Sequence, residues 1–173
     1  MKLKSCFIAA ISVIAAIFLD QYTKLLAIKH LKEAPIIILD GIFELHYLEN
    51  RGAAFGVLQN QQSFFLIMGI LMIGICSIAY VKMPQTERVT PFRICLILIV
   101  SGAVGNMIDR IRLNYVVDFL YFKLIDFPIF NVADIYVTIA TFGIILLILF
   151  YYKEEELDSF FSIFSLKKCN RGK

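Results

Sequence analysis

The chain is predicted to be an α-helical membrane protein with four transmembrane helices, a small extracytoplasmic β-sheet platform and a C-terminal amphipathic helix. Three observations predict it. Hydrophobic residues make up 60% of the 173 positions and charged residues 18%, which is too apolar for a soluble domain of this size. Four uncharged runs, Ser5 to Leu19, Gly52 to Val81, Ile94 to Ile108 and Ile135 to Tyr152, fall around the roughly 20 residues that cross a bilayer as a helix. Asp40-Gly41, a common hairpin turn pair, stands between two apolar runs in the first long connection.

The first run, with basic residues before it, also has the look of a secretory signal peptide. "DQYTKLLAI" then follows without a small-x-small cleavage site, and an uncleaved first helix is the simpler reading. Beyond it, Phe43, Leu45 and Tyr47 alternate with Glu44, His46 and Leu48, a pattern for a strand with one apolar face. "YVVDFLYF" is β-branched and aromatic enough to lie extended beside that strand. Leu157, Phe160, Phe161 and Phe164 at helical spacing, with lysines just beyond, predict the surface helix of the tail. With no repeats or linkers, residues 1–173 read as one domain.

Charge density sets the expected orientation. Residues 1–5, 82–93 and 153–173 carry ten of the 17 Lys and Arg, so both termini are expected in the cytoplasm. Helix 1 is expected to end at Asp20 and Lys24, helix 2 to begin after "ENRGAAFG", helix 3 to end at "GNMIDR" and helix 4 to begin at "FNVAD", so that all four ends emerge on the extracytoplasmic face. Cys6, Cys76, Cys95 and Cys169 show no zinc or redox spacing. No metal or cofactor is implied, and the modest net charge of +3 makes nucleic acid an unexpected partner.

Residues 115–137, "YVVDFLYFKLIDFPIFNVADIYV", hold three carboxylates among apolar neighbours. Pro128 prevents one continuous helix, so Asp118 is able to fold back toward Asp134. Asp126 lies in the connecting loop, facing water or capping a turn. Asn131 and Asp134 equally suit an N-cap and third position of a helix, a purely structural reading. Two carboxylates brought together share a proton, and one then activates water while the other donates to a carbonyl or amine. That is aspartyl-type peptide hydrolysis. Elsewhere, Asp20 and Lys24 are spaced to pair at i and i+4, with a helix-ending ion pair set against Lys24 holding a substrate group. Asn50 and Gly52 form either a simple turn or a close approach to a peptide. Asn106, Asp109 and Arg110 are expected on one helix face, the last two compensating each other locally.

"DQYTK", "NRGAAFG", "GAVGNMIDR", "VVDF" and "FNVAD", in this order between four apolar spans, resemble the lipoprotein signal peptidase (signal peptidase II) family of bacterial intramembrane aspartyl peptidases. The resemblance implies Asp118 and Asp134 as the catalytic pair. Asp20, Lys24, Asn50, Gly52, Asn106, Arg110 and Asn131 match supporting positions, and Asp109 joins them on its shared helix face. The implied substrate is a diacylglyceryl-modified prolipoprotein, cut N-terminal to the lipidated lipobox cysteine. A monomer in the bacterial cytoplasmic (inner) membrane, in contact with membrane lipid, is the implied setting. Ser101 and Ala140 stand where the family pattern suggests glycine, a matter of helix packing. The rival reading is a small polytopic transporter or channel with an extracytoplasmic acidic site, and a non-catalytic lipid-binding factor is a third.

Overall fold

The computed structural model describes residues 2–52 and 61–162, with side chains for 3–52 and 61–158. Four helices in it are long and apolar enough to cross a membrane. The first, α1 (Lys2–His30), spans 29 residues, or about 43 Å at 1.5 Å per residue. This exceeds the roughly 30 Å hydrocarbon core, and it also passes the expected helix end at Asp20 to Lys24. Gln21 to His30 contain no Gly or Pro, so nothing breaks the helix there. Its last turns instead bury Ala27, followed by Leu31, against Val117 and Phe119.

The hairpin forms as the Asp40-Gly41 pair predicts. β1 (Ile36–Leu39) and β2 (Phe43–Asn50) pair antiparallel, and Gly41 takes φ +69° at the turn, a conformation that favours glycine. β3 (Val116–Tyr121) adds on the other side of β2, giving the order β1-β2-β3. The clean alternation expected along β2 does not hold, because the register shifts between Leu45 and Leu48. Glu44, ahead of that shift, is buried at 3% exposure, with Lys123 Nζ and His46 Nε2 each 2.6 Å from its carboxylate. Those hydrogen bonds, from Lys123 first and then His46, hold Glu44 below the ordinary carboxylate range.

α2 (Gln62–Lys82) and α3 (Thr90–Leu113) follow. A proline in the first turn preorganises the start of α3, and Asn114 closes its end at φ 63° with its N–H on the Arg110 carbonyl. α3 is the hub of the bundle, packing on α1, α2 and α4 (Val132–Leu146). α4 continues as a wider π-turn over Leu147–Tyr151. Lipid-sized side chains such as Phe18, Ile67, Ile139 and Phe150 project outward from the bundle.

The segment between β3 and α4 explains how distant acids meet. After a short turn at Lys123–Ile125, Phe130 returns beside Leu120, exchanging backbone hydrogen bonds of 2.8 and 3.0 Å. Asp126 stays on the outside of that turn at φ 48°, exposed, accepting from the Tyr121 hydroxyl at 2.6 Å. Of the tail, α5 (Glu154–Ser162) is described. Leu157 packs near Tyr152, whereas the Phe160 and Phe161 side chains and Phe164 lie outside the described residues.

Candidate active site

Asp118 and Asp134 arrive on different elements and are joined through one side chain. Asp118 lies in β3, which the β2 pairing fixes opposite Leu48, two residues from Asn50. Asp134 is the third residue of α4. Between them stands Asn131, whose Nδ2 donates to Asp118 Oδ1 at 2.6 Å. The Asn131 backbone N–H donates to Asp134 Oδ2 at 3.1 Å, and its Oδ1 accepts from the Asp134 N–H at 3.0 Å. This is a reciprocal capping box. The helix-cap reading of Asn131 and Asp134 holds, and the same Asn131 side chain uses its remaining amide group to reach Asp118.

Each acid has a second amide donor. Asn50 Nδ2 reaches Asp118 Oδ2 at 2.8 Å, while Asn50 Oδ1 accepts from the Gly52 N–H at 3.0 Å. Asn106 Nδ2 reaches Asp134 Oδ1 at 2.8 Å. Asp118 is 1% exposed. Burial, and next the neighbouring charge of Asp134, push its carboxyl up to about 7 against the opposing pull of the two asparagine donors.

A buried ionic layer lies behind the pair. Lys24 Nζ, 2% exposed, contacts Asp20 Oδ2 at 3.0 Å, Asp109 Oδ2 at 2.9 Å and Asn106 Oδ1 at 2.9 Å. Its three protons are thus committed, and it has none to offer a substrate. The bond to Asn106 Oδ1, shared with Asn131 Nδ2 at 3.1 Å, fixes the Asn106 amide so that its NH₂ faces Asp134. Asp20 Oδ1 also accepts from the Ala133 N–H at 2.9 Å, and Asp109 Oδ2 accepts from the Val117 N–H at 3.2 Å. The layer therefore grips the start of α4 and the strand carrying Asp118 at the same time.

The expected local pairing of Asp109 with Arg110 does not occur. Consecutive helix residues do not face each other, so Asp109 turns to Lys24. Arg110 instead stacks on Phe65, 4.6 Å from the ring centroid, and reaches the Gly52 carbonyl at 3.4 Å. It borders a cavity of about 530 Å³, shared with Asn50, Asn106, Asp118, Asp134 and an apolar wall that includes Phe127, Pro128 and Ile139. Both acids open into this cavity, and its lining is mostly greasy.

A family model described as signal peptidase (SPase) II matches residues 12–151, which include both acids and every residue of the ionic layer. The chain belongs to the signal peptidase II family. Lipoprotein signal peptidases of Streptococcus thermophilus and Streptococcus pyogenes are 45% and 41% identical over 146 and 147 residues, each alignment covering 84% of this chain and 92% and 93% of the relative. Two solved structures described as bacterial membrane enzymes, obtained by the in meso method at 2.3 and 1.9 Å, superpose with TM-scores of 0.76 and 0.74. They share 29% and 28% identity, covering 84% and 83% of this chain and 92% and 94% of theirs.

Against this family background, all ten residues singled out in the sequence converge on one end of the bundle. The four apolar helices and the family make the chain a multi-pass membrane peptidase. Ser101 and Ala140, the two departures from glycine, are fully buried, and the Ser101 hydroxyl is satisfied by the Ile97 carbonyl at 2.8 Å. Gln21 was missed by the i, i+4 reading of "DQYTK". Its Nε2 donates to Asp109 Oδ1 at 2.9 Å and lies 3.2 Å from both Asp20 Oδ2 and the Gly105 carbonyl. A polar amide beside a buried acid in a transmembrane helix was the available signal. Residues 53–56 of "NRGAAFG" lie outside the described residues.

Proposed function

We propose that this peptidase uses Asp118 and Asp134 as an aspartic catalytic pair to remove signal peptides from prolipoproteins. The observation that carries the reading is the shared position of the two acids, each hydrogen-bonded to Asn131 and each bordering the same 530 Å³ cavity. One acid is ionised and takes a proton from water as that water attacks the scissile carbonyl. The other, protonated, donates to the carbonyl oxygen. Collapse of the tetrahedral intermediate breaks the C–N bond and transfers a proton to the leaving amine, the N-terminus of the mature lipoprotein. The raised Asp118 carboxyl suits the protonated role, because its acid form persists near neutrality.

The substrate segment enters extended between the sheet and the helix ends, and the cleaved bond lies N-terminal to a diacylglyceryl-modified cysteine. The apolar lining from Phe127 to Phe130 and along Ile135, Thr138 and Ile139 supports a lipid-bearing residue there. The higher density of Lys and Arg in residues 1–5, 82–93 and 153–173 supports cytoplasmic termini and a site on the extracytoplasmic face. One chain supplies both acids and their supports, so a monomer in lipid suffices.

The test is cleavage of a synthetic lipobox peptide with and without the diacylglyceryl group, followed by mass spectrometry. Cleavage of the lipidated form alone, N-terminal to the modified cysteine, is expected. Equal cleavage of the unmodified peptide would contradict the assigned substrate.

A further inference from the structure

At the end of the bundle opposite the acids, α1, α2 and α3 leave a second cavity of about 210 Å³. Its walls are apolar or small, including Ala9, Ala10 and Val13 from α1, Cys76 from α2, and Leu96 and Val100 from α3. Ala10 is exposed on the outer surface of α1, so the groove opens toward the space that acyl chains occupy around a membrane protein. Shape and lining alone would suit any apolar contact.

Arg93 makes the groove specific. It lies in the first turns of α3 and is 7% exposed. Its guanidinium stacks 4.1 Å from the ring centroid of Tyr80, itself a groove wall residue, and donates to the Ser5 hydroxyl at 2.8 Å, one residue from the wall residue Cys6. The guanidinium is not itself a wall of the cavity but lies against the wall residue Tyr80 and beside Ser5, next to the wall residue Cys6. Its Nε has no hydrogen-bond partner, and among the described residues no carboxylate pairs with it. Among the described residues two acids balance the Lys24 charge, whereas the buried Arg93 has a ring and a hydroxyl but no carboxylate, a costly arrangement that an anion would relieve.

We propose that this groove is a binding site for an anionic phospholipid, with the phosphate on Arg93 and an acyl chain along Ala9, Ala10 and Val13. A guanidinium offers a planar fork matched to phosphate oxygens, and the Tyr80 ring against it holds it beside the groove wall. A lipid is the occupant that supplies both the charge and the hydrocarbon. The site is separate from the peptidase cavity and does not depend on its chemistry.

Native mass spectrometry of the full chain released from nanodiscs of equal phosphatidylglycerol and phosphatidylcholine tests this. The expected result is retention of one phosphatidylglycerol at least fivefold over phosphatidylcholine. Arg93→Gln abolishes the preference, Arg93→Lys keeps part of it, and Ala10→Phe, which fills the groove without touching the charge, lowers retention of both lipids. Ten-millimolar inorganic phosphate leaves the bound lipid in place. Wild-type protein showing no preference would overturn the proposal, as would Arg93→Gln and Ala10→Phe variants that retain the lipid as wild type does. Displacement by phosphate would show an anion site without a lipid. The wild-type comparison decides the matter even where a variant fails to fold, and prolipoprotein cleavage by folded variants in detergent stays at the wild-type rate.

Discussion

Asn131 and Asp118 show how one residue serves both the fold and the proposed chemistry. Asn131→Ser keeps an N-cap oxygen for Asp134 but loses the Nδ2 donor to Asp118. Serine caps about as well as asparagine, so thermal stability is expected to fall little, while kcat drops roughly 10- to 100-fold for the lost charge-assisted hydrogen bond. Circular dichroism melts beside a cleavage assay separate the two effects. The Asp118 carboxyl, raised to about 7, predicts a pH limb as well. Above that value Asp118 loses the proton that its proposed role requires, and kcat/KM is expected to decline with a midpoint near 7. Stability follows the same group. An acid whose folded pKa lies above its unfolded value stabilises the protein at low pH and loses that contribution as pH rises through the folded value. The Tm of wild type should therefore fall relative to Asp118→Asn between pH 5 and pH 8, and a constant difference would contradict the raised value.

The helices and the hairpin were legible from uncharged runs and from Asp40-Gly41, because bilayer thickness and turn sterics act on local sequence. Asp126 was separable from its neighbours for a similar reason, since Pro128 marks a break that the structure turns into a loop. What was not legible depends on distant partners. Glu44 is buried against Lys123, 79 positions away, and no alternation pattern contains that pairing. The length of α1 beyond Lys24 and the role of Gln21 depend likewise on what α3 and β3 present to them. Close packing between helices is the element-level device that carries these contacts. A Cβ on Gly102 would stand 2.5 Å from the Ala133 carbonyl oxygen, and one on Gly105 would stand 2.6 Å from Asp20 Oδ2. The first meets backbone that cannot step aside, so Gly102→Ala is expected to push α4 outward and cost about 1–3 kcal/mol. A lowered Tm with an accompanying loss of cleavage checks this, and an unchanged Tm would show that α3 and α4 are less tightly apposed.

At the scale of the whole molecule, the site is an end of a four-helix bundle closed by a three-stranded sheet, with a buried ionic layer tying the parts together. α1 supplies Asp20 and Lys24, α3 supplies Asn106 and Asp109, and the layer reaches the Ala133 and Val117 amides next to each proposed catalytic acid. Lys24→Met removes the cation and leaves two buried carboxylates uncompensated, which costs on the order of 3–5 kcal/mol. Loss of folded protein in a detergent melt is the expected outcome. The gathering of the described membrane-depth acids at one end also distinguishes this architecture from a conduction pathway, which requires polar groups through the depth of the bundle. The central claim is that Asp118 and Asp134 perform the hydrolysis and Asp126 does not. Cleavage of a diacylglyceryl-prolipoprotein by purified Asp118→Asn, Asp134→Asn and Asp126→Asn variants tests it most directly. The first two are expected to lose cleavage by at least a thousandfold while remaining folded in the membrane, and the third to match wild type. Near wild-type cleavage by either of the first two would contradict the claim.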